Sequence, residues 1–349
     1  MRITELGAGG HERVALCEDE GAGYRAVVAV HSTALGPALG GTRLWNYPSV
    51  EEAITDALRL SRGMTYKNAL AGLPFGGGKS VVVADARTVD RERLFRAHGR
   101  FVETFNGIYV TAEDVGTTPA DMELVARETC HVAGLSSRSG DPSPHTAHGV
   151  FRAMQAAAKF RWGTDSLAGR AVAVQGCGNV GRNLARELRA AGARLFVSDV
   201  DEARARRAAQ ELGASVVAAG EIYDAAADVF APCALGGVIN DETIPRLHAE
   251  IVCGAANNQL LEARHGDALH ARAILYAPDY AANAGGVING CRELLGWTAE
   301  QSAQKVHSLY DTLLDILRLA RDENMPTHAA ADRLAEARLG EAKAQRRAT

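Results

Sequence analysis

Apolar residues in this chain follow two rhythms. Short unbroken runs alternate with stretches in which apolar positions return every three or four residues. The run Ala26-Val27-Val28-Ala29-Val30 predicts a buried strand. Ile54, Ala57, Leu58 and Leu60, spaced among charges, predict a helix over 50–62. Gly76, Gly77 and Gly78 lead through Lys79 into Ser80-Val81-Val82-Val83, which reads as a strand. A helix over 90–105 follows. The next strand, Ile108-Tyr109-Val110-Thr111, delivers Ala112, Glu113 and Asp114 to its end.

Ser, Gly and Pro concentrate over 136–146, SSRSGDPSPHT, and predict a domain boundary or hinge. Beyond it strands and helices alternate, with strands over 171–175, 194–199, 215–218, 228–231, 250–254 and 273–276. Such alternation predicts a parallel, doubly wound sheet. The chain closes in helices over 301–322 and 329–343, interrupted by Pro326, a residue suited to starting a helix.

At 349 residues the chain exceeds one ordinary core, so two domains are expected. Apolar residues at 47% and charged residues at 23% fit a globular protein. The formal charge of −4 offers no electrostatic reason for nucleic acid or an anionic membrane as partner. The start, MRITELGAGGHERV, lacks an apolar h-region, and no apolar run reaches membrane length. Cys17, Cys130, Cys177, Cys233, Cys253 and Cys291 form no CxxC pair, which suits reduced thiols in a cytoplasm.

The strand Ala171–Gln175 runs into Gly176-Cys177-Gly178-Asn179-Val180-Gly181 and then a helix through Leu184, Leu188 and Ala191. This is G-x-G-x-x-G between a strand and a helix. Gly176 permits the tight turn, Gly178 lets the backbone approach a pyrophosphate, and Gly181 lets helix and strand pack closely. The helix N-terminus would hold the phosphates. Asp199 ends the next strand, 21 residues after Gly178, where a carboxylate accepts from adenosine ribose hydroxyls and repels a 2′-phosphate. NAD is therefore expected rather than NADP. A glycine turn without a nucleotide is the bland alternative. Asp201 is a second candidate ribose partner or, instead, the N-cap of the segment DEARARR.

Lysine is scarce in this arginine-rich chain, yet Lys67 and Lys79 sit in apolar, glycine-rich surroundings, GMTYKNALAGLPFGGGKSVVV. Unlike arginine, a buried lysine beside another positive charge can lose its proton and act as base or nucleophile. Asp114 ends a nearby strand in VTAEDVGTT, a natural place for a catalytic carboxylate. The competing reading makes both lysines snorkelling surface residues and Asp114 a helix cap. His145 and His148 share a helical face but lack further ligands, so no metal site is expected. The apolar stripe Val306, Leu309, Leu313, Ile316 and Leu317 suits a core or a subunit interface.

These motifs, taken in order, closely resemble the glutamate/leucine/phenylalanine/valine dehydrogenase family, on its leucine and phenylalanine side. The matching stretches are GPALGGTRLW at 36–45, DALRLSRGMTYKNALAGLPFGGGKS at 56–80 and VTAEDVGTT at 110–118. Further on come AVQGCGNVG at 173–181, FAPCALGG at 230–237, GAANNQL at 254–260 and YAPDYAANAGGVIN at 276–289. YDT at 310–312 and AADRLAEAR at 330–338 extend the likeness to essentially the whole chain.

The resemblance implies an α/β substrate-binding and oligomerisation domain over 1–137, completed by the C-terminal helix 325–349. It implies a Rossmann NAD-binding domain over 145–324, a catalytic cleft between the two, and a homo-oligomer. It also implies roles. Lys67 would hold the substrate α-carboxylate, Lys79 would be the catalytic amine, and Asp114 would assist proton transfer. The backbone at Gly40 and Gly41 would line the polar end. Asn257 and Asn283 would lie where cofactor meets substrate. Thr146 and the Cys233–Ala234 turn would border the nicotinamide, and Ala255 and the loop residues Asn179 and Val180 would also bind the cofactor. In the implied reaction Lys67⁺ helps keep Lys79 neutral, and Lys79 activates the water that attacks the iminium left by hydride transfer.

Glutamate-specific relatives place a lysine and a serine where Leu39 and Gly290 stand here. Neither can pair a carboxylate, and burying an unpaired charge costs several kcal/mol. Met64, Ala112 and Val287 would complete an apolar pocket. Gly290 departs from the valine usual in leucine enzymes and leaves space. Branched-chain substrates are favoured, with phenylalanine or tryptophan as the runner-up. A non-catalytic NAD sensor is a distant alternative. A 2-hydroxy acid dehydrogenase would need a His–acid pair and an arginine instead of these lysines.

Overall fold

The computed structural model describes every residue except 8, 88, 136–139 and 349. Residues 136–139 of the expected hinge thus lie outside the described residues. The chain divides into two compact units: Met1–Asp141 with Gly290–Gly296 and Ala335–Thr349, and Pro142–Asn289 with Trp297–Leu334.

In the first unit the strands are β1 (Arg2–Glu5), β2 (Arg13–Asp19), β3 (Tyr24–Ser32) and β4 (Ala38–Trp45). Helix α1 (Val50–Leu70), β5 (Gly76–Val83), α2 (Arg91–Glu103), β6 (Tyr109–Glu113) and α3 (Pro119–Val125) follow. One mixed sheet forms in the order β1-β2-β3-β5-β4-β6. β4 runs parallel to both β5 and β6, and the remaining pairings are antiparallel.

Helix α1 outruns the expected end at residue 62 by two turns. Thr65, Tyr66, Asn68, Ala69 and Leu70 are all buried, so packing carries the helix past Gly63. A side chain at Gly77 would meet the Thr65 backbone nitrogen at 2.0 Å, so the glycine run lets α1 lie directly on β5. On the other face Phe95, Phe101, Phe105 and Tyr109 pack with Val28 and Val30 of β3 in an apolar cluster.

The second unit begins with α4 (Ser143–Trp162). It continues through β7 (Ala171–Gln175), α5 (Asn179–Ala190), β8 (Arg194–Ser198), α6 (Glu202–Leu212) and β9 (Ser215–Val216). Then come β10 (Val229–Pro232), β11 (Ile251–Val252), α7 (Ala263–Ala271), β12 (Leu275–Tyr276) and α8 (Asp279–Ala282). Helices α9 (Gly285–Leu295), α10 (Ala299–His307), α11 (Leu309–Asp322) and α12 (Thr327–Ala348) end the chain. The sheet is parallel throughout, in the order β12-β11-β10-β7-β8-β9. Strand order reverses between β7 and β10, the switch point at which doubly wound sheets take their ligands. The single helix expected over 301–322 is two, divided at Ser308.

Candidate active site

Parallel pairing of β4 with β5 and β6 builds the lysine site. Its register puts Thr42 beside Ser80 and Gly41 beside Ala112, so Gly41, Lys79 and Ala112 fall in one row across three strands. Lys79 is only 4% exposed, which removes the snorkelling alternative for this residue. Its Nζ donates to Asp114 Oδ2 at 2.9 Å. A lysine buried this deeply is rare unless paired. Nor does Asp114 cap the following helix. Thr118 caps α3, in a capping box with Asp121.

Gly41 makes room for the acid. A Cβ there would meet Glu113 O at 2.4 Å and Asp114 Cβ at 2.8 Å. Met64, on α1, reaches to within 3.3 Å of where a Gly40 side chain would begin. Lys67, half-buried, lies one turn further along the same side of α1. Leu39 is buried on β4.

Arg43 was not singled out in the sequence, although a lone arginine inside the apolar strand ALGGTRLW was a usable signal. Its Nε donates to Asp114 Oδ2 at 3.1 Å, and its Nη1 to Asp56 Oδ2 at 2.9 Å. Burial alone would push the Asp114 carboxyl up. Lys79 and Arg43 outweigh it and hold that group down at about 2. Thr117 Oγ1 accepts from the Asp114 backbone N–H at 2.8 Å and fixes the turn.

Beneath the row lies a buried polar network that sequence reading also missed. Thr42 Oγ1 is 2.7 Å from Ser80 Oγ, 2.5 Å from Thr111 Oγ1 and 2.9 Å from His98 Nε2. His98 Nδ1 is 2.8 Å from Tyr24 Oη, and Tyr109 Oη donates to Gly40 O at 2.7 Å. Burial pushes His98 down to about 3, so the ring stays neutral. These bonds pin β4, β5 and β6 to one another under the site.

The ion pair carries a pH signature. The folded Asp114 carboxyl lies at about 2 against 3.8 ordinarily, so its contribution to stability is present above about pH 4 and lost as pH falls through 2. Its size is about 2 kcal/mol. Urea unfolding of wild type and Asp114→Asn should show a stability gap that shrinks by roughly this amount between pH 5 and pH 2. A constant gap would contradict the assignment.

In the second unit the expected dinucleotide residues converge at the switch point. Gly176 has φ +101°. A Cβ there would meet Ala234 Cβ at 2.8 Å, which brings the loop after β7 against the Cys233–Ala234 turn after β10. A Cβ at Gly181 would meet Gly176 O at 1.9 Å, whereas one at Gly178 meets nothing within 4 Å. The free N-terminus of α5, with Asn179 and Val180 in its first turn, opens beside that space. Asp199, just past β8, accepts from the Cys177 N–H at 2.8 Å and the Asp201 N–H at 2.9 Å. A carboxylate with these two bonds still has lone pairs for ribose hydroxyls. Asp201 caps α6 through the Arg204 N–H. Asn283 Nδ2 donates to Ala255 O at 3.1 Å and to Asn257 Oδ1 at 2.8 Å. Thr146 stands where a Gly286 side chain would be, 2.5 Å from its Oγ1. Val287 and Gly290 lie one turn apart on α9. The glycine cradle, the helix end and the acid fit NAD.

Comparison with known proteins agrees. The family model described as the dimerisation domain of Glu/Leu/Phe/Val dehydrogenase matches residues 11–131. The model described as Glutamate/Leucine/Phenylalanine/Valine dehydrogenase matches 196–347. Leucine dehydrogenase of Geobacillus stearothermophilus is 53% identical over 332 residues, covering 94% of this chain and 90% of the relative. Valine dehydrogenase of Streptomyces albus is 49% identical over 345 residues, covering 97% and 94%. The crystal structure of L-tryptophan dehydrogenase from Nostoc punctiforme superposes with a TM-score of 0.85 at 46% identity, covering 96% of each chain. The chain belongs to the glutamate/leucine/phenylalanine/valine dehydrogenase family.

Proposed function

We propose that this chain catalyses the NAD-dependent, reversible oxidative deamination of an apolar L-amino acid of leucine type to its 2-oxo acid, ammonia and NADH. One observation carries the reading: a buried lysine within β5 and a carboxylate just past the end of β6, 2.9 Å apart, on the sheet against which α1, the helix bearing Lys67, packs. Lys67 holds the substrate α-carboxylate through a charge-assisted contact. Gly40 and Gly41, lacking side chains, leave backbone beside the polar end. NAD, when bound, accepts the hydride from substrate Cα. Lys79 takes the proton of the water that adds to the resulting iminium carbon. Asp114 passes that proton to the carbinolamine nitrogen, and Lys79, neutral again, takes the hydroxyl proton as the C–N bond breaks and oxo acid and ammonia leave.

Leu39, Met64 and Ala112 supply apolar surface. A glutamate side chain would find no cation among them. The N-terminal family match to a dimerisation domain supports a homo-oligomer. All six cysteines are free thiols, which goes with a cytoplasmic setting.

NADH formation at alkaline pH should appear with L-leucine and L-phenylalanine and not with L-glutamate or L-lactate. Turnover of lactate alone would overturn the reading.

An aromatic preference is the second reading, favoured by one feature. A Cβ built at Gly290 meets nothing within 4 Å, so space is open there. Gly290→Val should raise the kcat/KM ratio of leucine to phenylalanine by about 10-fold or more, as one to three kcal/mol of pocket contact allows. An unchanged ratio would remove Gly290 from the pocket.

A further inference from the structure

Asp114 answers to two cations, and the deamination chemistry uses only one of them. Lys79 Nζ and Arg43 Nε both donate to the same atom, Oδ2, at 2.9 and 3.1 Å. Arg43 is no loose surface charge, since its side chain is 17% exposed and its far end is tied to Asp56. Asp56 is held in turn by Arg59 Nη2 at 2.9 Å and by the Tyr47 hydroxyl. The result is a row of alternating charge, Lys79–Asp114–Arg43–Asp56–Arg59, running from the core to the surface.

We infer that Arg43 is a positioning residue that shares the Asp114 carboxylate with Lys79 and thereby sets how firmly Asp114 retains the proton-bearing amine. The inference rests on the proposed deamination. Arginine stays charged at any working pH, so its hold on Oδ2 is constant, whereas Lys79 must release and regain a proton. With Arg43 present, Asp114 is half-neutralised before Lys79 is counted, so it attracts the Lys79 ammonium less strongly. Asp56 tunes this from behind, because charge that Arg43 spends on Asp56 is withheld from Asp114.

Other charges face the pair. Glu113 neighbours Asp114 in sequence, and burial, Asp141 and Asp114 push its carboxyl up. The Tyr109 hydroxyl lies beneath the strands, and Lys67 projects from α1. Among the described ion pairs, Asp114 Oδ2 is shared by Lys79 and Arg43.

The test is the pH profile of kcat/KM for L-leucine oxidation in the full-length enzyme. Arg43→Met should move the ascending limb up by about one pH unit, which is about tenfold in rate at a fixed pH on that limb. Arg43→Lys, which keeps the charge, should restore most of the shift. Asp56→Asn should move the limb the other way, because the freed guanidinium acts on Asp114 alone. Limbs that stay in place in Arg43→Met and Asp56→Asn, with rates lowered equally at every pH, would show a structural role only and overturn the inference. Should Arg43→Met fail to fold, Asp56→Asn decides by the direction of its shift. Wild-type protein inactive towards every L-amino acid would instead sink the deamination reading. An active enzyme with an immobile limb sinks this inference alone.

Discussion

Lys79→Ala is expected to lower turnover by about 10²–10⁴-fold, the range for a positioned acid–base group. NAD should still bind. Lys79 lies on β5 of the first compact unit, and the glycine loop after β7 belongs to the second. The variant should also fold. Removing one member of a buried ion pair normally costs about 3–5 kcal/mol because the survivor is left uncompensated. Here Asp114 keeps Arg43 on the same oxygen at 3.1 Å, so truncating Lys79 does not orphan it. Asp114→Ala is the harsher change, since Lys79 has no second carboxylate among its described ion pairs. Steady-state rates with L-leucine, NAD titration by calorimetry and a thermal melt separate these effects. Wild-type turnover in Lys79→Ala would remove the residue from the mechanism.

The second large effect concerns two glycines three residues apart. Gly178→Ala should leave the melting temperature near wild type, because the new methyl enters open space and the backbone there is an ordinary extended one at φ −69°. That same methyl would stand where the pyrophosphate approaches. Losing one backbone hydrogen bond to a charged group is worth about 1.5–3 kcal/mol, so NAD affinity should fall roughly 10- to 150-fold. Gly181→Ala acts differently. Its Cβ would lie 1.9 Å from Gly176 O, and that atom is backbone, so the helix must separate from the loop. Overpacking of this kind costs about 1–3 kcal/mol. Both affinity and melting temperature should therefore drop. NAD titration beside thermal unfolding distinguishes the two variants. Equal behaviour in both would mean that the loop does not take the pyrophosphate as described.

The nucleotide half was readable because its chemistry is local. A phosphate cradle needs three glycines within six residues, a preceding apolar run and a following helix, and every part is written in Ala171–Leu188. Strand–helix alternation likewise announced the parallel sheet, although β9, β11 and β12 proved only two residues long. Lysine scarcity and glycine context marked Lys67 and Lys79 as unusual. They could not say whether either was buried.

Tertiary structure decided the rest, because the deciding contacts join residues far apart in sequence. Lys79 and Asp114 meet only because β4 slots between β5 and β6, and β4 carries two glycines that weaken its signal as a strand. Its glycines admit the Asp114 side chain, and its arginine supplies the second cation. Whether Asp114 capped a helix or met a lysine turned on Thr118 and Asp121 taking the cap first. Helix α1 ran on to Lys67 because Tyr66, Asn68 and Leu70 had a sheet to bury against, something periodicity within the segment does not register. Local pattern specifies elements whose partners lie within a few residues. Burial and charge pairing depend on which strands become neighbours, and that is settled only when the sheet closes.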